Sequence, residues 1–112
     1  MSFDFLLSYM KIAFTMKLFP GKEAEYKKRH DEIWPELATL LTETGISDYS
    51  IFLDEKTLTL FGVYEVADAE ALQNLPDQPI MRKWWHYMGD IMETNPDESP
   101  VSIPLKQVFY LP

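Results

Sequence analysis

In the stretch "KIAFTMKL" (11–18), Ile12, Phe14, Met16 and Leu18 alternate with Lys11, Ala13, Thr15 and Lys17. A period of two sends successive side chains to opposite faces, so the stretch predicts a β-strand. Pro20 and Gly21 then punctuate the chain. The pattern changes after them: Tyr26, His30, Ile33, Trp34, Leu37, Leu40 and Leu41 lie close to the helical period of about 3.6, within a region from Lys22 to about Thr44. Gly45 supplies a stop. Pro35 lies inside this region and cannot donate to the carbonyl of Asp31, while its ring crowds that turn. A kink, or a break into two segments, is expected just after His30.

"DYSIFLD" and "TLTLFGVYEV" read as two strands joined by a short Glu55–Lys56 turn, a hairpin. A second helical region follows, interrupted by "LPDQP", with its main part at "IMRKWWHYMGDIM" (80–92). "NPDESP" reads as a loop and "PLKQVFYLP" as a last strand. The order strand, helix, strand, strand, helix, strand is the ferredoxin-like α+β plan, a four-stranded antiparallel sheet with helices on one face. The middle strands are apolar on both sides: Tyr49, Ile51 and Leu53 oppose Phe52, while Leu58, Leu60 and Tyr64 oppose Phe61 and Val63. A sheet face in water would carry more polar positions. A second copy of the chain is the expected cover, giving a homodimer packed sheet against sheet; the alternative is that residues 1–9 fold over that face.

Composition adds bounds rather than chemistry. A chain of 112 residues with 46% apolar content suits one folded domain. Its net charge of −8 argues against nucleic acid or an anionic membrane as partner. The absence of cysteine removes disulfides, thiolate metal sites and cysteine nucleophiles, and suits a cytoplasmic protein. The start "MSFDFLLSYM" has no basic leader and only a short apolar run broken by Asp4, so neither a signal peptide nor a membrane span is expected. Residues 1–9 are read as an extension of unknown role and residues 10–112 as a single domain.

Two histidines, no HExxH, no P-loop, no GxGxxG and no nucleophile elbow leave acid–base chemistry and aromatic recognition. No metal and no cofactor is expected. His30 shares its stripe with Tyr26, one turn earlier, and an imidazole titrates near neutrality. The plain alternative is a core histidine bonded to a backbone carbonyl. Trp84 and Trp85 diverge by about 100° on a helix, so with Trp84 toward the sheet Trp85 lies at the edge of that stripe. Flat indoles suit the C–H faces of a sugar ring, although both could equally fill the core. Tyr49 could add a hydroxyl on the helix-covered face. His86 is expected on the exposed side of its helix, with no role.

Taken together, "EYKKRHDEIWPEL", "YSIFLD", "WWHYM", "NPDESPVS" and the terminal "VFYLP" resemble the L-rhamnose mutarotases, from about Met10 to Pro112. The resemblance implies a small cofactor-free isomerase of rhamnose metabolism, a homodimeric ferredoxin-like (dimeric α/β barrel) protein that interconverts the α and β anomers of L-rhamnopyranose. It assigns His30 the role of proton donor, and contacts with the sugar to Tyr26, Tyr49, Trp84 and Trp85. His30 would act toward the ring oxygen, with Tyr26, a water or a carboxylate as base. Residues 1–9 extend beyond the family's usual start, and His86 stands where the family often has lysine. Two other functions fit the residues: a cofactor-free dimeric-barrel monooxygenase (or haem-handling protein), and a non-catalytic sugar-binding module. Periodicity alone reaches only a small dimeric α+β domain with an aromatic pocket.

Overall fold

The computed structural model describes residues 9–112. Strand β1 (Met10–Lys17) follows the alternating stretch and is paired along its whole length with β3 (Thr59–Val66), antiparallel. Strand β2 (Ile46–Asp54) pairs with the other edge of β3, and the short β4 (Ile103–Pro104) pairs with β1. The resulting order β2-β3-β1-β4 is that of the ferredoxin-like fold expected from the sequence. The proposed cover of the sheet by the N-terminal extension concerns segment 1–9, of which residues 1–8 lie outside the described residues.

The expected helix break is present. Helix α1 (Glu23–Asp31) and helix α2 (Pro35–Glu43) are separate. Trp34 between them is extended, at φ −62° and ψ 132°, as a residue before proline prefers, and Pro35 occupies the first turn of α2, where a missing N–H costs nothing. A 3₁₀ helix (Ala69–Asp77) contains Pro76 and is capped by Asp68, whose carboxylate accepts from the backbone N–H of Glu70 at 3.0 Å. Helix α3 (Pro79–Met88) follows.

Two ends differ from the sequence pattern. The helix expected over residues 80–92 stops at Met88, because the following residues pair beside the end of β1 instead. The N–H of Phe19 donates to the Ile91 carbonyl at 2.9 Å, and the N–H of Glu93 to the Lys17 carbonyl at 3.0 Å. The last strand, expected over "PLKQVFYLP", is confined to Ile103–Pro104, with one further bond from the Leu105 N–H to the Ala13 carbonyl at 2.9 Å. Pro104 has no N–H to extend the ladder, and Val108, Phe109 and Leu111 are exposed.

One irregularity sets the faces of the sheet. Between Ser47 and Ser50, β2 carries one more residue than β3 opposite it, and Asp48 adopts φ 52°. This bulge lets Ile46 share the core-facing side with Ile51 and Leu53, which strict alternation would forbid. The helices cover that side. Leu18, Leu37, Leu60, Met88 and Ile91 form the centre of the core. The opposite face presents Phe52 (65% exposed), Phe61 and Ile103. Among the described residues no helix is long and apolar enough to cross a membrane.

Candidate active site

Helix α1 brings Tyr26 and His30 together one turn apart, with ring centroids 4.3 Å apart and nearly parallel. His30 Nδ1 lies 3.0 Å from the carbonyl oxygen of Tyr26. A carbonyl only accepts, so Nδ1 carries the hydrogen and Nε2 is the nitrogen free to gain or lose a proton. Burial lowers the His30 pKa below its ordinary value, against the opposing pull of the Tyr26 carbonyl and Asp31. The imidazole is therefore held neutral near pH 7, and its protonated form is a stronger acid than free imidazolium.

Helix α3 supplies the indoles. Trp84 is buried, and its ring meets His30 edge-on at 5.4 Å and Trp34 edge-on at 5.0 Å. Trp85, about 100° further round the helix, is half-buried at the margin of the stripe. Tyr49 follows the bulge in β2, so its side chain shares the core face with Ile51. Its ring lies 5.1 Å from Tyr64 and 6.4 Å, edge-on, from Phe14. Phe14 itself lies across Gly62, its partner on β3; a Cβ there would overlap the Phe14 ring. The glycine thus makes room for the ring that Tyr49 leans on.

Burial is the main cause that raises the phenols of Tyr26 and Tyr49 well above the ordinary value, with Tyr49 adding to the shift of Tyr26 and Tyr64 to that of Tyr49. Tyr49 is the more open of the two, with 40% of its surface exposed. Both hydroxyls stay protonated near neutrality and are donors rather than bases. That weakens the option of Tyr26 as the base.

Tyr26, His30, Tyr49, Trp84 and Trp85 all line one cavity of about 90 Å³ between the helices and the sheet. The five residues singled out in the sequence are thus brought together, although they come from three elements. The lining contains no carboxylate, so the sequence option of a carboxylate base finds no candidate on it. Sequence reasoning missed the rest of the wall. Met16, Met81 and Met92 supply flexible thioethers, and Thr94 a hydroxyl from the loop after α3. Met81 and Met88 stand two turns apart on α3, a signal the stripe contained; Thr94 has no periodic signal. His86 lies outside, its ring 76% exposed and its Nδ1 2.6 Å from Glu98. No group of three or more His, Asp or Glu side chains suited to a metal ion occurs among the described residues.

A ferredoxin-like sheet whose helix-covered face brings one imidazole, two phenols and two indoles onto one cavity defines a small α+β protein with an aromatic pocket. A family model described as L-rhamnose mutarotase matches residues 11–111. The chain belongs to the L-rhamnose mutarotase family. It is 61% identical over 102 residues to the L-rhamnose mutarotase of Brucella anthropi, covering 91% of this chain and 96% of that one. It is 60% identical over 99 residues to that of Flavobacterium johnsoniae, covering 88% and 92%. The crystal structure of an L-rhamnose mutarotase from Formosa agariphila superposes with a TM-score of 0.86 at 50% identity, covering 92% of this chain and 99% of that one. A Caulobacter crescentus protein named for antibiotic biosynthesis monooxygenases has a TM-score of 0.61 at 20% identity, covering 91% and 92%. That second likeness concerns the fold alone.

Proposed function

We propose that this chain is an L-rhamnose mutarotase: it exchanges the α and β anomers of L-rhamnopyranose by acid–base catalysed ring opening and reclosure. The observation that carries the reading is the meeting of His30, Tyr26, Tyr49, Trp84 and Trp85 on one cavity, in a member of a family of that name. The cavity's 90 Å³ speaks against a haem or a polycyclic aromatic, since drug-sized pockets run to about 300–1,000 Å³.

In ring opening, His30 acts from its small protonated fraction: Nε2–H gives its proton to the ring oxygen as the bond from C1 to that oxygen breaks. The anomeric hydroxyl loses its proton to water, and a carbonyl forms at C1. After rotation about C1–C2, the same oxygen attacks the other face of the carbonyl. His30 Nε2 takes back the proton, and water reprotonates the anomeric oxygen. Nδ1 keeps its bond to Tyr26 throughout, so the imidazole need not turn between the two steps. Tyr26 and Tyr49 donate to sugar hydroxyls, the indoles face the ring, and the methionines receive the 6-methyl group. General acid–base help of this kind contributes typically about 10²–10⁴-fold.

The same reading places a second copy on the outer sheet face, where Phe52 and Ile103 are more than half exposed. It treats residues 10–112 as one catalytic domain with residues 1–9 as an extension. The cysteine-free composition supports a cytoplasmic location.

Saturation-transfer NMR of L-rhamnose, with and without protein, tests the activity against the uncatalysed exchange. Acceleration that is lost in His30→Ala, with the fold intact, supports both the reaction and the role of His30. Quenching of tryptophan fluorescence by the sugar without acceleration would leave a binding module.

A further inference from the structure

Arg29 is the one charged residue that the fold buries among the described residues, at 9% exposure. It precedes His30 on α1, a helix whose only buried residues are Tyr26 and Arg29. The helix that carries the imidazole therefore has almost no apolar face to hold it. What holds it is polar. Arg29 Nη1 donates to the Tyr87 carbonyl at 2.7 Å and to Asp90 Oδ1 at 2.9 Å, Nη2 to Asp90 Oδ2 at 3.2 Å, and Nε to Glu25 at 2.8 Å. The Tyr87 carbonyl belongs to the last turn of α3, where carbonyls lack helical partners. Arg29 thus caps the helix that presents Trp84 and Trp85.

The contacts also close a circuit. The guanidinium lies over the Tyr87 ring at 4.2 Å, and that ring stacks on Trp34 at 5.3 Å. Trp34 meets Trp84 at 5.0 Å, and Trp84 meets His30 at 5.4 Å. His30 is the next residue after Arg29. A planar fork bonded to two carboxylates and one carbonyl fixes direction as well as distance, which a lysine cannot do.

We propose that Arg29 is a positioning residue for proton transfer, tying α1 to the end of α3 so that His30 keeps its place against Trp84. The inference rests on the reading of His30 as the proton-transfer group. Misplacement of a reacting group by about 1 Å can cost on the order of 10²-fold. Arg29→Lys keeps the charge and loses the fork, so kcat falls by about 10- to 100-fold while KM stays within about threefold. Asp90→Asn, at an exposed carboxylate that loses only the outer half of the clamp, moves kcat the same way by less. The His30 imidazole NMR signals shift in both variants.

The decisive experiment repeats Arg29→Lys in the His30→Ala background. If Arg29 acts through His30, the arginine change costs little further once the imidazole is gone. An equal fractional loss in both backgrounds would overturn the inference and leave Arg29 as structural support. Unchanged kcat and unmoved His30 signals in both single variants would overturn it as well. His30→Ala at the wild-type rate would instead bring down the parent reading, and this one with it.

Discussion

The carbonyl of Tyr26 fixes which nitrogen of His30 faces the cavity: the distance to Nδ1 is 3.0 Å, and the two rings stack at 4.3 Å. The i to i+4 spacing of one helix supplies both contacts at once. A residue proposed to release and recover a proton is thereby held in one tautomer by the turn that precedes it.

That burial has a thermodynamic signature. The folded-state pKa of His30 is lowered below the unfolded value near 6.5, so the unfolded chain binds more protons as the pH falls through that value. Stability is therefore lost as pH falls from about 6.5 toward the lowered pKa, and regained as pH rises. Denaturant titrations at a series of pH values should show this slope in the wild type and a flatter one in His30→Gln.

The adjacent tryptophans should part company under substitution. Trp84 is 7% exposed and packs on Trp34 and His30, so Trp84→Ala should cost about 3–5 kcal/mol of stability. Trp85 lies at the margin, and Trp85→Ala should lower stability less while raising the KM for L-rhamnose. Urea unfolding beside anomer-exchange kinetics separates the two effects; equal stability losses would contradict the assignment.

Gly62→Ala places a Cβ inside the Phe14 ring. Overpacking of this kind costs about 1–3 kcal/mol. Phe14→Leu in the same chain should recover part of the loss, because the added methyl then has space. Because Phe14 borders Tyr49, the single variant should also bind sugar less well than its melting temperature alone would explain.

Phe52 is 65% exposed on the outer sheet face, opposite Phe61 on the neighbouring strand. If a second copy covers this face, Phe52→Glu buries a charge and should shift sedimentation toward the monomer. A sedimentation coefficient unchanged from a dimeric wild type would move the interface elsewhere.

Much of this was legible in residue order because the relevant signals were local. The alternation around Phe14 and Met16 marked β1, and Pro35 marked the break between helices. Tyr26, His30 and the paired tryptophans stood out as polar-tipped rings on apolar stripes. The bulge at Asp48 did not stand out, since one inserted residue leaves the pattern of "DYSIFLD" intact and shows only against the partner strand. The early end of α3 depended on pairing of residues 91–93 with the end of β1, a tertiary competitor that helical periodicity cannot register. Arg29 read as one more charge in "YKKRH", because its main partner Asp90 lies 61 residues away.

The break at residues 32–34 also divides labour along the chain. The segment before it buries little beyond Tyr26 and Arg29, whereas the segment after it buries Leu37 in the core. A saturation mutational scan that scores folding and turnover separately should therefore show two bands. Changes at His30, and milder ones such as Arg29→Lys, would lower turnover in chains that still accumulate, and changes at Leu37 would remove the protein itself. The solvent-facing Lys27 and Lys28 beside them would be free to drift.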